Sequence, residues 1–411
     1  MSSITEEDKE VNNDFIPDYT INNWEDSNLD LKDKLLRAIY AHGFEKPSSI
    51  QQKAVYPMTK SLYKSKYGVR PRDIIAQAQS GTGKTGAFTI STLQLVDETQ
   101  KNIQALILAP THELARQINS VITSLSIYLK INSICAVGGI PVDVNKKEIL
   151  EKKPQIVVGT PGRIHDIIKR KILNTEHIKL IVLDEADEML SSGFKDQMYK
   201  IFSFMPNKMQ IGLFSATMPA ELHELTNAFM KNPTKIIVKS EDLTLQGIAQ
   251  YYINLDDDGM KYECIKDLFS GLSVSQAIIY CNSVNRVDDL TEAMKADEFP
   301  VEKIHGQMDG SLRKKIYNDF KHGSCRVLIT SDLFARGIDV QQVSIVINFD
   351  IPRNEHTYLH RIGRSGRWGR KGIAINFQTR HDHNRLQKFQ EYYQTNIKEM
   401  PSDFTNHLTQ I

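Results

Sequence analysis

The chain has 411 residues, which is too long for one ordinary hydrophobic core and predicts two domains. Its 40% hydrophobic and 25% charged residues are typical of a soluble globular protein. Lys and Arg number 51 against 50 Asp and Glu, so a global charge field is excluded as the means of binding a polyanion, and any such site must be local.

Cysteine spacing and hydropathy exclude further classes of protein. The four cysteines form no CxxC pair, which argues against a disulfide scaffold or a zinc site and favours a reducing compartment. No apolar run approaches the ~20 residues that cross a bilayer. The acidic, polar start of the chain is unlike a secretory or mitochondrial signal, and residues 1–22 are predicted to form a flexible tail.

Short apolar runs alternate with amphipathic stretches in the first half of the chain. Helical spacing covers residues 86–98 and 113–128. This alternation predicts a parallel sheet covered by helices on both faces. The predicted strands are 74–76, 105–109, 156–159, 180–184 and 211–215.

The same pattern restarts in the second half. Its predicted strands are 276–280, 301–304, 326–330, 344–349 and 372–377, and its predicted helices are 284–296, 312–322 and 385–396. The sequence therefore predicts two α/β domains in tandem, at 23–238 and 248–411. A short, flexible polar linker is expected at 239–247.

A glycine-rich run follows the first predicted strand and precedes a predicted helix, as a phosphate-binding loop does. Its glycines let backbone N–H groups approach a phosphate, and the helix N-terminus adds positive partial charge. A chance glycine-rich turn is the alternative, and Ala78 departs from the usual first glycine. Lys84 can reach the β and γ phosphates, and the Thr85 hydroxyl can bind Mg²⁺. The predicted nucleotide ligands here are Gly81, Thr82, Gly83, Lys84, Thr85 and Gly86.

An acidic pair follows the apolar run 180–183 directly. Carboxylates at the end of a parallel strand lie at the sheet edge where ligands bind. Asp184 is suited to hold Mg²⁺, and Glu185 is suited to orient and deprotonate an attacking water. An acidic strand end alone is more often a solvated helix start, and the phosphate loop upstream favours the catalytic interpretation.

With these motifs the chain resembles the DEAD-box ATP-dependent RNA helicases, most of all their initiation factor 4A group, from about residue 23 to the C-terminus. The resemblance implies two tandem RecA-like domains, each a parallel sheet flanked by helices. It implies ATP and Mg²⁺ as cofactors, RNA as the partner, and an ATP site to which both domains contribute. The implied catalytic residues are Lys84, Asp184, Glu185, Arg364 and Arg367.

Residues 43–51 match the adenine-reading segment of that family. The resemblance implies that Phe44 stacks on the base and that Lys46 lies near it. The amide of Gln51 can donate to and accept from an adenine edge. The segment predicts a preference for ATP over GTP.

Three further motifs match the family's contacts to the RNA backbone. Main-chain N–H groups, Thr hydroxyls and Arg are typical ligands of phosphate and sugar, and they carry no base identity. His112 and the pair Ile140 and Pro141 depart from the family pattern. The implied RNA-binding residues of the first domain are Pro110, Thr111, Gly139, Thr160, Pro161 and Arg163.

The resemblance also implies roles in coupling and in the second domain. Ser215 and Thr217 are expected to contact the acidic motif and to couple the ATP state to domain closure. Asp339 is expected at the ATP ribose, and Arg364 and Arg367 are expected to act as arginine fingers. Arginines at spacing three are also typical of a basic helix face, but the glycines between them argue against that alternative.

Arg313 and Thr330 are the RNA-binding residues implied for the second domain. Gly310 stands where the family has a Gln, so this surface is expected to bind RNA more weakly or through different contacts. Residues 57–73 make the chain longer than its family pattern and carry five basic side chains. A solvated loop is the favoured interpretation, and an added contact to RNA or a partner is the alternative.

The resulting hypothesis is a monomeric, cytoplasmic, RNA-stimulated ATPase that unwinds or remodels RNA with little sequence preference, in translation initiation. An ATP-locked RNA clamp of the exon-junction type and a ribosome-assembly helicase are the alternatives, with the nucleus as the other compartment. Protein partners are expected in each case, namely an initiation-complex scaffold or a clamp partner. The ATP and RNA motifs do not separate these three roles.

Overall fold

A computed structural model describes residues 19–65, 68–78, 81–191, 193–237, 247–271, 276–332, 343–365 and 372–401, with the backbone alone at 63–65, 68–70 and 271. The chain divides into two compact units, with the boundary between Lys239 and Ser240. Most of the predicted linker, residues 239–246, lies outside the described residues.

Strands and helices alternate along the first unit, as predicted. Its helices are α1 (Asp33–Ala41), α2 (Ser49–Lys60), α3 (Lys84–Leu95), α4 (His112–Leu125), α5 (Val142–Lys152), α6 (Pro161–Lys169), α7 (Ala186–Ser191), α8 (Lys195–Ser203) and α9 (Ala220–Phe229). Its strands are β1 (Leu62–Ser65), β2 (Gly68–Pro71), β3 (Ile74–Gln77), β4 (Ala105–Leu108), β5 (Ser133–Ala136), β6 (Ile156–Gly159), β7 (Leu180–Asp184), β8 (Gln210–Ser215) and β9 (Thr234–Ile237).

Seven of these strands form one parallel sheet in the order β5-β6-β4-β7-β8-β3-β9. Every residue of β4, β6, β7 and β8 is buried, because helices cover both faces of the sheet. The strands are parallel, so their carboxyl ends lie at one edge, and the loops that follow them meet there. The phosphate loop follows β3 and the acidic pair closes β7.

The second unit repeats this arrangement. Its strands are β10 (Ile248–Asn254), β11 (Ala277–Tyr280), β12 (Val301–Ile304), β13 (Val327–Thr330), β14 (Ile345–Asn348), β15 (Gly372–Gln378) and β16 (Lys398–Glu399). Its helices are α10 (Met260–Gly271), α11 (Val284–Ala296), α12 (Gly310–Lys321), α13 (Glu355–Ile362) and α14 (His383–Tyr393). The strands form a second parallel sheet in the order β12-β13-β11-β14-β15-β10-β16.

Two segments that the sequence predicts to be irregular differ from that prediction. The expected tail already packs at its end, because Ile21 is fully buried and its N–H donates to the carbonyl of Gln52 at 3.1 Å. The expected loop at 57–73 contains the last turn of α2 and an antiparallel hairpin, in which β1 pairs with β2. Among the described residues, no helix is both long and apolar enough to cross a membrane.

Candidate active site and nucleic-acid interface

Two glycines shape the phosphate loop where it meets α3. Gly81 has a φ of 84° and Gly83 a φ of 99°, a left-handed conformation that favours glycine. A Cβ on Gly83 would also lie 2.5 Å from the Ser48 hydroxyl oxygen. The free N–H groups at the start of α3 make the loop a favourable place for a phosphate. Thr82 and Thr85 are half-buried beside it, Gly86 is buried within α3, and residues 79–80 lie outside the described residues.

Lys84 links the phosphate loop to the acidic pair. Its ammonium donates to the carbonyl of Ala78 at 3.0 Å and lies 3.5 Å from Glu185 Oε1. Both charged side chains are about 5% exposed, so their attraction is weakly screened by solvent. Glu185 has a φ of 51°, which is uncommon for a residue with a Cβ and is typical of functional sites. The structure thus brings together the predicted phosphate ligand and the predicted general base.

Asp184 is a buried carboxyl at the end of β7 whose pKa is raised. Burial is the largest cause, the neighbouring Glu185 carboxylate adds to it, and the Lys84 ammonium opposes it. Asp184 Oδ1 also accepts a hydrogen bond from the Glu185 N–H at 3.1 Å. A divalent cation would offset the cost of two buried carboxylates, and carboxylate and hydroxyl oxygens are ligands that Mg²⁺ prefers. The donors of Asp184 and Thr85 therefore fit the predicted magnesium site.

The predicted adenine segment packs against the phosphate loop. Gln51 is buried, its Nε2 donates to the carbonyl of Gly83 at 3.1 Å, and its Oε1 accepts from the Ser48 N–H at 2.8 Å. The amide keeps one N–H and one lone pair for a base edge. A Cβ on Gly86 would lie 3.3 Å from the Phe44 ring, so this ring borders the start of α3. Lys46 is exposed.

Trp24 is a residue of this region that sequence analysis does not assign. Its indole is 1% exposed, and its Nε1 donates to the carbonyl of Phe44 at 3.0 Å. A buried Trp with its N–H satisfied fixes the backbone that it contacts. Its only signal in the sequence is an isolated Trp upstream of the adenine segment.

We expect Trp24→Phe to raise the KM for ATP about fivefold with kcat unchanged. Phe keeps most of the buried ring but removes the N–H, and a hydrogen bond is worth about 1 kcal/mol. Steady-state ATPase assays at saturating RNA check this. Tyr19→Phe is the matched control, because it removes the hydroxyl that donates to Asp26 in the same segment. An unchanged KM, or an equal rise in the control, would contradict the assigned role of Trp24.

The predicted RNA motifs of the first unit converge on one groove. This open groove has a volume of about 340 Å³ and is lined by Pro110, Thr160 and Arg163 among the predicted residues, and by His112 and Gly138 beside them. Three more predicted RNA ligands are sequence neighbours of lining residues, namely Thr111, Gly139 and Pro161. Asp166 and Phe194 also line it, and sequence analysis misses both because neither belongs to a recognisable motif.

Several predicted RNA ligands also hold the groove in shape. The Thr111 hydroxyl caps α4 by accepting from the Leu114 N–H at 3.2 Å. The Arg163 guanidinium donates to Asn145 Oδ1 at 2.6 Å and to the Ile140 carbonyl at 2.5 Å. Gly139 has a φ of 78° with open space where a Cβ would lie, so backbone conformation rather than crowding requires glycine there.

The expected contact between Thr217 and the acidic motif is present. The Thr217 hydroxyl donates to Asp187 Oδ2 at 2.5 Å, and the Asp187 N–H lies 3.4 Å from the Ser215 hydroxyl oxygen. All three side chains are buried. Hydrogen bonds to a charged group in such surroundings are stronger than neutral ones. These two hydrogen bonds of Asp187 connect the end of β8 to the start of α7.

We expect Thr217→Val to destabilise the first unit by about 1.5–3 kcal/mol and to weaken the stimulation of ATPase activity by RNA. Val keeps the shape of Thr but removes the donor to a buried carboxylate. Urea unfolding and ATPase assays with and without RNA measure the two effects. Thr226→Val is the control, because that buried hydroxyl donates to the carbonyl of His223, a neutral acceptor. Equal effects of the two variants would contradict this prediction.

In the second unit, the hydrogen bonds of Arg361 fix the position of α13, the helix that ends just before Arg364. Arg361 is fully buried, and its Nε donates to Asp332 Oδ1 at 2.6 Å. Its remaining nitrogens donate to Asn348, the carbonyl of Asp350 and Asn282. Arg364 is 2% exposed, and its Nε donates to the carbonyl of His360 at 3.1 Å. Arg361 belongs to the same motif, but its sequence position alone predicts no role for it.

Of the other predicted residues of the second unit, two are buried and two lie outside the described residues. Arg313 is 8% exposed. Thr330 is fully buried, and its hydroxyl donates to the carbonyl of Ile304 at 2.7 Å, so that side chain is turned into the fold. A contact of Thr330 with RNA would therefore use its backbone atoms. Asp339 and Arg367 lie outside the described residues.

The two units are RecA-like domains of a P-loop ATPase, the class that the sheets and the phosphate loop define. The family model "DEAD/DEAH box helicase" matches residues 48–225, and "Helicase conserved C-terminal domain" matches 260–369. The chain belongs to the DEAD-box family of ATP-dependent RNA helicases.

Relatives match this chain over nearly its whole length. It is 48% identical to eukaryotic initiation factor 4A of Caenorhabditis elegans, covering 99% of this chain and 97% of that protein. It is 50% identical to ATP-dependent RNA helicase eIF4A of Yarrowia lipolytica, covering 92% and 93%. The structure of Dbp5 from S. cerevisiae bound to RNA and ADP BeF3 superposes with a TM-score of 0.85 at 32% identity, covering 95% of this chain and 98% of that chain.

Proposed function

We propose that this helicase acts in translation initiation, where it uses ATP and Mg²⁺ to remodel structured mRNA. The observation that carries the ATPase chemistry is the 3.5 Å approach of Lys84 to Glu185 beside the phosphate loop. The translation role is supported by the 48% identity to initiation factor 4A of C. elegans over almost the whole chain.

In the proposed mechanism, Lys84 binds the β and γ phosphates and Glu185 orients and deprotonates the attacking water. When bound by Thr85 and Asp184, Mg²⁺ neutralises phosphate charge. The base is held by Phe44, Lys46 and Gln51. Arg364 and Arg367 stabilise charge on the transferred phosphoryl group, and Asp339 binds the ribose.

RNA is proposed to bind through its phosphates and 2′-hydroxyls in the groove of the first unit. Arg163, main-chain N–H groups and the start of α6 are ligands of this kind, so little sequence preference is expected. The binding of Dbp5 to RNA in its structure supports this role. Arg313 and Thr330 are proposed to contribute on the second unit, Thr330 through its backbone because its side chain is buried.

Steady-state ATPase activity with and without single-stranded RNA tests the biochemical proposal. We expect strong stimulation by RNA and loss of activity when EDTA removes Mg²⁺. Hydrolysis that is indifferent to RNA would overturn it and would leave an ATP-binding scaffold.

A cell-free translation extract depleted of its initiation factor 4A tests the translation proposal. Addition of this protein is expected to restore translation of a reporter with a structured leader more than that of an unstructured one. No rescue by a protein with RNA-stimulated ATPase activity would contradict the translation role alone. Fractionation and light scattering test the proposed cytoplasmic location and monomeric state.

A further inference from the structure

One side chain that lines the groove of the first unit is an imidazole. His112 is the first residue of α4 and lines the groove together with Thr160 and Arg163. An ordinary imidazole titrates at about pH 6.5, whereas Arg stays charged and Thr neutral. A groove with an imidazole in its lining therefore carries one more positive charge when that ring is protonated than when it is neutral.

The charged groups around His112 come from two helices. From α6 the groove is lined by Arg163 and Asp166, and Asp166 accepts a hydrogen bond from Arg170 at 2.8 Å. From its own helix, Glu113 lies 3.9 Å from Arg116. The remaining lining residues are uncharged: Pro110 before α4, Gly138 in the loop after β5, Thr160 and Gly162 at the start of α6, and Phe194 before α8.

His112 also lies close to the glycine loop of the groove. A Cβ added to Gly138 would lie 3.2 Å from His112 Nε2. The imidazole thus borders the turn at Gly138 and Gly139, and Gly139 has a φ of 78° with open space where a Cβ would lie. A phosphate that approaches the backbone N–H groups of this turn would come within reach of His112.

We propose that His112 is a titratable phosphate contact that makes RNA binding tighter at acidic than at alkaline pH. The inference rests on the proposed RNA binding in this groove. The imidazolium adds a positive charge and an N–H donor to a phosphodiester, whereas the neutral ring adds no charge. Because RNA then binds the protonated form more tightly, affinity falls as pH rises through the range in which His112 loses its proton.

The salt dependence of RNA binding gives the proposal a quantitative signature. Each phosphate contact on a single strand adds about 0.7 to the slope of log K against log salt concentration. The slope is therefore expected to be steeper by about 0.7 at pH 5.5 than at pH 8. Affinity is expected to change by about tenfold over the same range.

The test measures binding of a rhodamine-labelled oligouridine by fluorescence anisotropy, with a non-hydrolysable ATP analogue and a series of KCl concentrations. Uridine and phosphodiesters do not titrate in this range. His112→Gln should abolish the pH dependence of the salt slope. His112→Arg should show the acidic slope at every pH. His177→Gln, which replaces an exposed histidine outside the groove lining, should behave as wild type.

The possible outcomes separate this inference from the proposed function. A wild-type slope that does not change with pH, or the same change in His112→Gln, overturns the role of His112 while RNA binding stands. No binding of the oligouridine by the wild type at any pH overturns both. If His112→Gln does not fold, His112→Arg decides the assignment, because a salt slope that still changes with pH in that variant overturns the role of His112.

Discussion

Replacing Glu185 with Gln is expected to lower RNA-stimulated ATP hydrolysis by about 10²–10⁴-fold while ATP still binds. The amide has nearly the shape of the carboxylate but cannot take a proton from water. Lys84, which lies 3.5 Å from Glu185, remains available for the phosphates. Steady-state hydrolysis and titration with a fluorescent ATP analogue measure the two effects separately.

The environment of Glu185 also predicts that the variant stays folded. Its carboxylate raises the pKa of buried Asp184, so neutralising it removes a repulsion between like charges as well as an attraction to Lys84. Glu176→Gln, an exposed position in the same unit, serves as the control and should hydrolyse ATP as wild type does. A loss of less than tenfold in Glu185→Gln would exclude Glu185 as the general base.

The inner strands of the first sheet are predictable from the sequence because they are continuous apolar runs. β6 and β7 match their predicted bounds, since every residue in them is buried. Edge strands vary, since β12 matches its predicted bounds, 301–304, whereas β5, β9 and β16 are not predicted, and neither is the more polar inner strand β10. β5 has alternating burial and β9 exposes Lys235 and Ile237, so neither contains the apolar run that identifies an inner strand.

The candidate site is predictable where its chemistry depends on local motifs. Gly83, Lys84 and Glu185 are found from short runs whose spacing the chemistry requires, and the structure places Lys84 beside Glu185. Trp24 and Phe194 are not found, because each acts through tertiary packing that no short spacing encodes. Burial is likewise not encoded by a motif, since RNA contact is predicted for Thr330 and its side chain is buried within the unit.

Arg364→Lys is expected to lower ATP hydrolysis by about 10³–10⁵-fold, with a loss of stability of about 1–3 kcal/mol because the Nε–H bond to the His360 carbonyl is lost. Lysine keeps the positive charge but loses the planar fork that binds phosphoryl oxygens at two points, and an arginine finger contributes a rate factor of that size. Single-turnover hydrolysis at saturating ATP and RNA measures the rate, and thermal unfolding measures the stability. Arg353→Lys replaces an exposed arginine of the same unit and should leave both unchanged.

Arg361→Lys is the closer comparison for Arg364→Lys, because Arg361 lies three residues before Arg364 and carries the same charge. Its guanidinium donates to Asp332, Asn348, Asn282 and the carbonyl of Asp350, all within the second unit. Lysine cannot reproduce these bonds, so Arg361→Lys is expected to destabilise the second unit by about 3–5 kcal/mol. Arg364→Lys should lose rate without that loss of stability. If both variants lost stability equally, Arg364 would be a structural arginine and the proposed finger would have to be Arg367 alone.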